Sequence, residues 1–273
     1  MLTILLILIN LAVATLGVYL FDFQPDGIIN SPLIIIASIL IGAIVSLLVL
    51  AFYIELFYVL VAKTKPQNSM LKHKIAKQMV SFPMHLTNMR VKVIGLENLP
   101  KDPGFSVYSN HTSLMDISVL MYKLYEYPVA FLAKEMVEHL PLVGKWTAKL
   151  GCVFIDRNND RKGAESIINV IKNVKSGSTM VVFPEGTRGT EIGTMLEFKQ
   201  GAFKVAIKSK APLVPISICK PKNYSRTIWP LPRKITLVIH RAISAEEIST
   251  MKSLELSEKV EKIIQGPLNE IYK

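Results

Sequence analysis

The sequence predicts an α/β domain that follows a hairpin of two transmembrane helices. Two observations predict it. Residues 1–62 carry only three charges, Asp22, Asp26 and Glu55, in a stretch dominated by Leu, Ile, Val and Ala. Beyond Met89, short apolar runs of strand length alternate with longer runs whose apolar residues recur at helical spacing. Such alternation builds a sheet covered by helices.

Residues 1–20 are nearly unbroken apolar sequence without charge, long enough to cross a hydrocarbon core of ~30 Å. Ala12-Val13-Ala14 resembles a signal-peptide cleavage site, but no basic residues precede it and the apolar run continues past it. The segment reads as a retained span. Residues 21–31 form a short loop with Asp22, Pro25, Asp26 and Gly27 and no Lys or Arg. Residues 33–62 are a second apolar run, broken by Glu55. As a straight helix this run would measure about 45 Å, so it should tilt, or emerge as an interfacial stretch near Tyr53, Glu55 and Tyr58. Lys63, Lys65, Lys72, Lys74 and Lys77 follow at once. Basic residues after the second span, and none between the spans, predict both ends of the hairpin on the cytoplasmic side of a cell or internal membrane.

The chain then divides into a membrane hairpin at 1–63, a linker with an amphipathic helix at 64–88, and an α/β domain at 89–273. Leu71, Ile75, Met79, Phe82 and Leu86 form a stripe at helical spacing with lysines among them, facing either the core or a headgroup layer. Pro83 should end or kink that helix. Strands are expected at 90–94, 105–108, 129–132, 152–155, 179–183, 213–218 and 234–240. Helices are expected after His111, at 135–150 with interruptions at Pro141 and Gly144, at 163–174, at 201–208, and at 254–271 with a weak point at Gly266-Pro267.

Lys and Arg number 32 against 21 Asp and Glu, a formal net charge of +11 that calls for an anionic partner. Aromatic residues are few, and no zinc spacing or aromatic RNA-binding strand is present. With the apolar excess at the front of the chain, the partner is a membrane rather than nucleic acid. The two cysteines, Cys152 and Cys219, fall in apparent core strands and make no disulfide framework.

Three polar clusters close strands of the α/β pattern, and such sheets bind ligands at the carboxyl ends of their strands. The first is Asn110-His111-Thr112-Ser113-Leu114-Met115-Asp116. Five steps of about 100° would put His111 and Asp116 ~140° apart on one helix. With His111 still in the loop and Asp116 in the first helical turn, the two can meet, and the carboxylate can then fix the imidazole tautomer. Ser113 and Asp116 equally fit a capping box. The second cluster is Asp156-Arg157, which is also the pattern of a surface ion pair. The third, Pro184-Glu185-Gly186-Thr187-Arg188-Gly189, is either a plain loop or a nest in which Gly186 and Gly189 turn N–H groups outward to an anion.

Together these clusters make the sequence resemble the lysophosphatidic acid (1-acylglycerol-3-phosphate) acyltransferase family of membrane-bound glycerolipid enzymes, from about Val91 to Ile218. The family's Asn-His-x4-Asp motif is matched by Asn110, His111 and Asp116. Its Gly-x-x-Phe-Ile-Asp-Arg motif is matched by Gly151, Phe154, Ile155, Asp156 and Arg157, and its Phe-Pro-Glu-Gly-Thr-Arg motif by Phe183 to Arg188. A Pro-containing strand at 212–216 matches the fourth motif, and Lys134 falls where the family often has a basic residue. Gly189 departs from the Ser or Thr common in relatives.

The resemblance implies a single mixed-sheet acyltransferase domain. It would move a fatty acyl group from acyl-CoA or acyl carrier protein to the sn-2 hydroxyl of 1-acylglycerol 3-phosphate, forming phosphatidic acid in phospholipid biosynthesis. His111 would be the general base and Asp116 its orienting partner. A histidine, with an ordinary pKa of ~6.5, suits that task near neutral pH. Asn110, Lys134, Arg157, Glu185, Gly186, Thr187 and Arg188 would bind substrate, and residues 212–216 would line the acyl path or support the sheet. No cofactor or metal is implied; the acyl thioester is itself a substrate. The alternatives are acylation of another lysolipid or of glycerol 3-phosphate, or an inactive membrane-tethered lipid-binding module. A serine hydrolase lacks its Gly-x-Ser-x-Gly elbow here, and a P-loop enzyme lacks its Gly-rich Lys-Ser/Thr loop.

Overall fold

The structure, a computed structural model, describes residues 2–21, 32–156, 159–228 and 230–272. The loop expected between the two spans and Arg157 lie outside these residues. Two compact units are present, Met1–Thr64 and Lys65–Lys273.

The first unit is a pair of apolar helices, α1 (Leu2–Phe21) and α2 (Pro32–Phe57), the latter continued by a π turn at Tyr58–Ala62. Small residues let the helices approach closely. A Cβ on Gly42 would lie 2.7 Å from the Asn10 carbonyl oxygen, and Ser46 Oγ donates to the Leu6 carbonyl at 3.0 Å. Leu11, Leu16, Leu40, Leu47, Leu48 and Phe52 point outward, an apolar surface suited to hydrocarbon. Both helices are long and apolar enough to cross a membrane, which indicates membrane association.

The second unit opens with α3 (Met70–Leu86). Its buried side is Lys72, His73, Ile75, Ala76, Ser81 and Met84, whereas Leu71 and Leu86 of the expected stripe are exposed. The stripe was displaced because Lys72 and His73 find polar partners inside. Lys72 Nζ donates to the Lys149 carbonyl at 3.1 Å. The two His73 nitrogens lie 3.0 and 3.1 Å from the carbonyls of Ser69 and Val129. Pro83 neither ends nor breaks α3. The helix runs one further turn, and Thr87 Oγ1 donates to the Pro83 carbonyl at 2.8 Å.

Seven strands then form one mixed sheet: β1 (Met89–Ile94), β2 (Ser106–Ser109), β3 (Val129–Lys134), β4 (Val153–Ile155), β5 (Thr179–Val182), β6 (Leu213–Cys219) and β7 (Arg233–Ile239). Their order is β1-β7-β6-β2-β5-β3-β4. Strands β6, β2, β5, β3 and β4 are mutually parallel, and β7 turns antiparallel to β6 while pairing parallel with β1. The helices between them are α4 (Met115–Lys123), α5 (Val143–Lys149), α6 (Asp160–Lys175) and α7 (Gln200–Ser209), followed by α8 (Ala245–Ser249) and α9 (Ser253–Tyr272). Asn159 caps α6, its side chain accepting the Lys162 N–H at 3.1 Å.

All four residues of β2 are buried, because a central parallel strand is covered on both faces. Tyr108 stacks on Phe203 there, with ring centroids 4.7 Å apart. Leu256, Val260, Ile264 and Leu268 line one side of α9 and complete this core. Pro267 leaves α9 continuous. One turn before it, the Ile264 carbonyl accepts the Ser217 hydroxyl at 2.8 Å, and the Leu268 side chain beyond it is buried.

Candidate active site

Strand β2 ends where α4 begins, and the short junction between them is the centre of the site. His111 Nδ1 lies 3.1 Å from Asp116 Oδ2. The same oxygen accepts the backbone N–H groups of Thr112 and Ser113, each at 2.8 Å. Ser113 Oγ in turn accepts the Met115 N–H at 3.2 Å. The dyad and the capping box are therefore one structure: a single carboxylate closes the first turn of α4 and grips the imidazole. An ionised carboxylate only accepts, so Nδ1 carries the proton and Nε2 presents its lone pair. The ring stacks on Phe183, centroids 4.0 Å apart and planes 17° from parallel, which fixes its plane.

Asp116 is fully buried. Burial pushes its pKa up, but the hydrogen bond from His111, the Lys220 ammonium and the Thr112 N–H outweigh that and hold it below the ordinary carboxylate range. Lys220 is a member of the site that the sequence reading missed. It follows β6 directly, is 2% exposed, and sets Nζ 2.6 Å from Asp116 Oδ1 and 2.5 Å from Thr112 Oγ1. Its own carbonyl accepts the Tyr272 hydroxyl, from the last turn of α9. The available signal was a charge closing a strand that is apolar except for Ser217, at the same end of the sheet as the other clusters.

The loop after β5 meets the junction through Glu185, which is 2% exposed. Its Oε1 accepts the His111 N–H at 2.7 Å and its Oε2 the Leu196 N–H at 2.9 Å. Burial pushes this carboxyl's pKa up by more than those two N–H groups lower it, and the Asp116 charge adds to the rise. Of the two readings of this loop, the outward nest is not formed by the two glycines. Gly186 N–H donates to the Phe183 carbonyl at 3.0 Å, and Gly189 N–H to the His111 carbonyl at 2.8 Å. Gly186 serves instead as the turn itself, at φ 72°, where a side chain would be strained.

Asn110 also differs from expectation. It is 3% exposed, and its amide pairs with the Ile218 backbone in both directions, at 3.1 and 2.8 Å, so it clamps β2 to β6 rather than facing a ligand. Thr187 and Arg188 are exposed on the loop after β5, and Lys134 is exposed at the carboxyl end of β3. Because β2, β5, β3 and β4 are parallel neighbours, the three motif loops emerge side by side along one edge, across about 14 Å at the usual strand spacing.

A largely apolar cavity of about 640 Å³ opens between α6 and α7 and shares Phe183 and Gly186 with the site. Ile155, Ile167, Ile168 and Ile171 are among its walls, with Lys199, Lys204 and Lys208 from the α7 side. Residues 212–216 do not line it; from Leu213 on they belong to the buried strand β6 and support the sheet. Cys152 and Cys219 are both buried, and burial pushes their thiols up to about 12 and about 11.

The acyltransferase family profile matches residues 90–219, the stretch that holds all of these motif loops. Residues 90–219 belong to the acyltransferase family. The chain is 31% identical over 190 residues to the 1-acyl-sn-glycerol-3-phosphate acyltransferase of Saccharomyces cerevisiae, covering 68% of this chain and 62% of the yeast protein. It is 34% identical over 133 residues to the Bacillus subtilis protein of the same name, covering 49% of this chain and 64% of the relative. The chain thus spans under two thirds of the length of these curated relatives. The crystal structure of the 1-acyl-sn-glycerophosphate (LPA) acyltransferase from Thermotoga maritima superposes with a TM-score of 0.63 at 26% identity, covering 82% of this chain and 95% of that one.

Proposed function

We propose that the chain transfers a fatty acyl group from an acyl thioester, acyl-CoA or acyl carrier protein, to the sn-2 hydroxyl of 1-acylglycerol 3-phosphate, yielding phosphatidic acid for phospholipid synthesis. The observation that carries this reading is the His111 Nδ1 to Asp116 Oδ2 contact at 3.1 Å, which leaves Nε2 as a base at the carboxyl end of the central parallel strand β2. The acceptor hydroxyl gives its proton to Nε2 while its oxygen attacks the thioester carbonyl carbon. The tetrahedral intermediate then collapses, the carbon–sulfur bond breaks, and the imidazolium returns its proton to the departing thiolate. Asp116 stabilises the imidazolium between these steps.

Arg157, Arg188 and Lys134 hold the glycerol phosphate, the arginines through their planar forks. Thr187 assists from the same loop. Asn110, Glu185 and Gly186 act on substrate indirectly, by fixing the backbone on which His111 and Arg188 stand. The apolar cavity beside Phe183 seats an acyl chain. The two apolar helices keep the enzyme where its acceptor and product reside, with the catalytic unit on the cytoplasmic side.

The test is to give the purified full chain a labelled acyl thioester and a panel of lysolipids together with glycerol 3-phosphate. Labelled phosphatidic acid, formed from 1-acylglycerol 3-phosphate well ahead of the other acceptors, is the expected product. A label that appears only on a different acceptor, or a thioester that is never consumed, overturns the assignment.

A further inference from the structure

We infer that Lys220 is a positioning residue for acyl transfer, acting on His111 through Asp116. The inference rests on His111 and Asp116 being the acyl-transfer dyad. A lysine so deeply buried, at 2% exposure, loses its hydration and needs a partner of opposite charge. Its partner is the one carboxylate that grips His111. Asp116 divides its two oxygens by task. Oδ2 takes the His111 ring and two backbone N–H groups, and Oδ1 takes the Lys220 ammonium at 2.6 Å. The contact at Oδ1 is one of charge, without the alignment of a full hydrogen bond.

Two consequences follow for the chemistry. A carboxylate with a cation fixed at Oδ1 does not rotate, so Oδ2 stays aimed at the imidazole. The ammonium also offsets the carboxylate's charge, and so sets how strongly Asp116 attracts a proton onto the ring. Lys220 is itself held on three sides. Thr112 Oγ1 accepts from its Nζ at 2.5 Å, the Tyr224 ring lies 5.4 Å from Nζ, and the Tyr272 hydroxyl bonds its carbonyl. The other ionisable groups facing the dyad are Glu185, from the loop after β5, and Tyr224, from the turn after β6. A carboxyl and a phenol can be neutral or anionic but never cationic, so Lys220 is the fixed cation of this cluster among the described residues.

The experiment compares wild type, Lys220→Met, Asp116→Asn and the double variant, all as full chains in detergent or vesicles, with labelled acyl thioester and 1-acylglycerol 3-phosphate. K220M should lower kcat about 10- to 100-fold, leave the acceptor KM within about threefold, and move the acid limb of the rate profile to higher pH by half a unit or more, since an uncompensated carboxylate holds the ring proton more tightly. In the Asp116→Asn background the same substitution should cost less than about threefold, because there is no carboxylate left to aim. Should K220M fail to fold, Lys220→Gln, which keeps a donor for Oδ1 without the charge, is expected to give the same kcat loss and limb shift. Wild-type kcat with an unmoved limb in either variant, or an equal cost with and without the Asp116 carboxylate, overturns the inference. A wild-type chain with no His111-dependent acyl transfer would fail the functional assignment instead, so the two failures are told apart.

Discussion

A carboxylate oxygen that accepts three N–H groups has little freedom left, and Asp116 Oδ2 is such an atom. Its geometry delivers His111 with one nitrogen committed and the other free to take a proton. His111→Ala should therefore lower kcat by the ~10²- to 10⁴-fold usual for loss of a general base. Cys152→Ala should keep substantial turnover, since a buried thiol pushed up to about 12 is not a thiolate near neutral pH. Quenched, denatured enzyme should carry no acyl label that transfers to acceptor on the timescale of turnover; such a label would establish a covalent route. At this scale the sequence told most where partners are close in the chain. His111 and Asp116 are five positions apart, so spacing and a helix start were enough to pair them. Lys220 sits 108 positions from Thr112, and only the neighbouring placement of β6 and β2 brings it in. Asn110 and Glu185 were recognised as part of the site, but their backbone-bracing partners Ile218 and Leu196 carry no motif of their own.

Elements were legible in number and order more than in which side they bury. Helix α3 shows why. Lys72 and His73 are polar and lie outside the expected apolar stripe, yet main-chain carbonyls inside the unit accept them. A neutral His73 ring donates to only one of its two facing carbonyls. Protonation would add a second hydrogen bond but place a charge in the interior, and burial dominates, lowering its pKa. His240 is lowered by burial too; Ser217 donates to the Ile264 carbonyl, so it must accept from His240 Nε2 at 2.8 Å. With folded-state values below the unfolded value of ~6.5, the unfolded chain binds more protons across this window, so stability is intact above pH ~6.5 and falls as pH drops below it. Thermal unfolding of the solubilised chain should shift to lower temperature between pH 7 and pH 5, and His73→Gln should flatten that slope. A wild-type midpoint that rises on acidification would contradict it. Proline positions misled in the other direction. Pro83 and Pro267 both lie within about a turn or two of a helix end, where one lost N–H bond is tolerated and the packed side chains around them hold the helix.

For the molecule as a whole, the alternation of apolar runs was enough to read one α/β unit behind two apolar helices. Strand order was not readable, because pairing between distant segments leaves no local periodicity. The charge asymmetry of the hairpin leads to the orientation prediction. In intact cells, an impermeant thiol reagent should label a Cys introduced at Gly27 and miss one at Asn68; the reverse pattern would invert the topology.

The Tyr272 hydroxyl on the Lys220 carbonyl links the last turn of α9 to the charge behind His111. The tie joins residues 52 positions apart in the chain. Fraying of that helical turn therefore frees the backbone that carries the Lys220 ammonium, and the carboxylate behind His111 loses a fixed counter-charge although no residue of the first motif has moved.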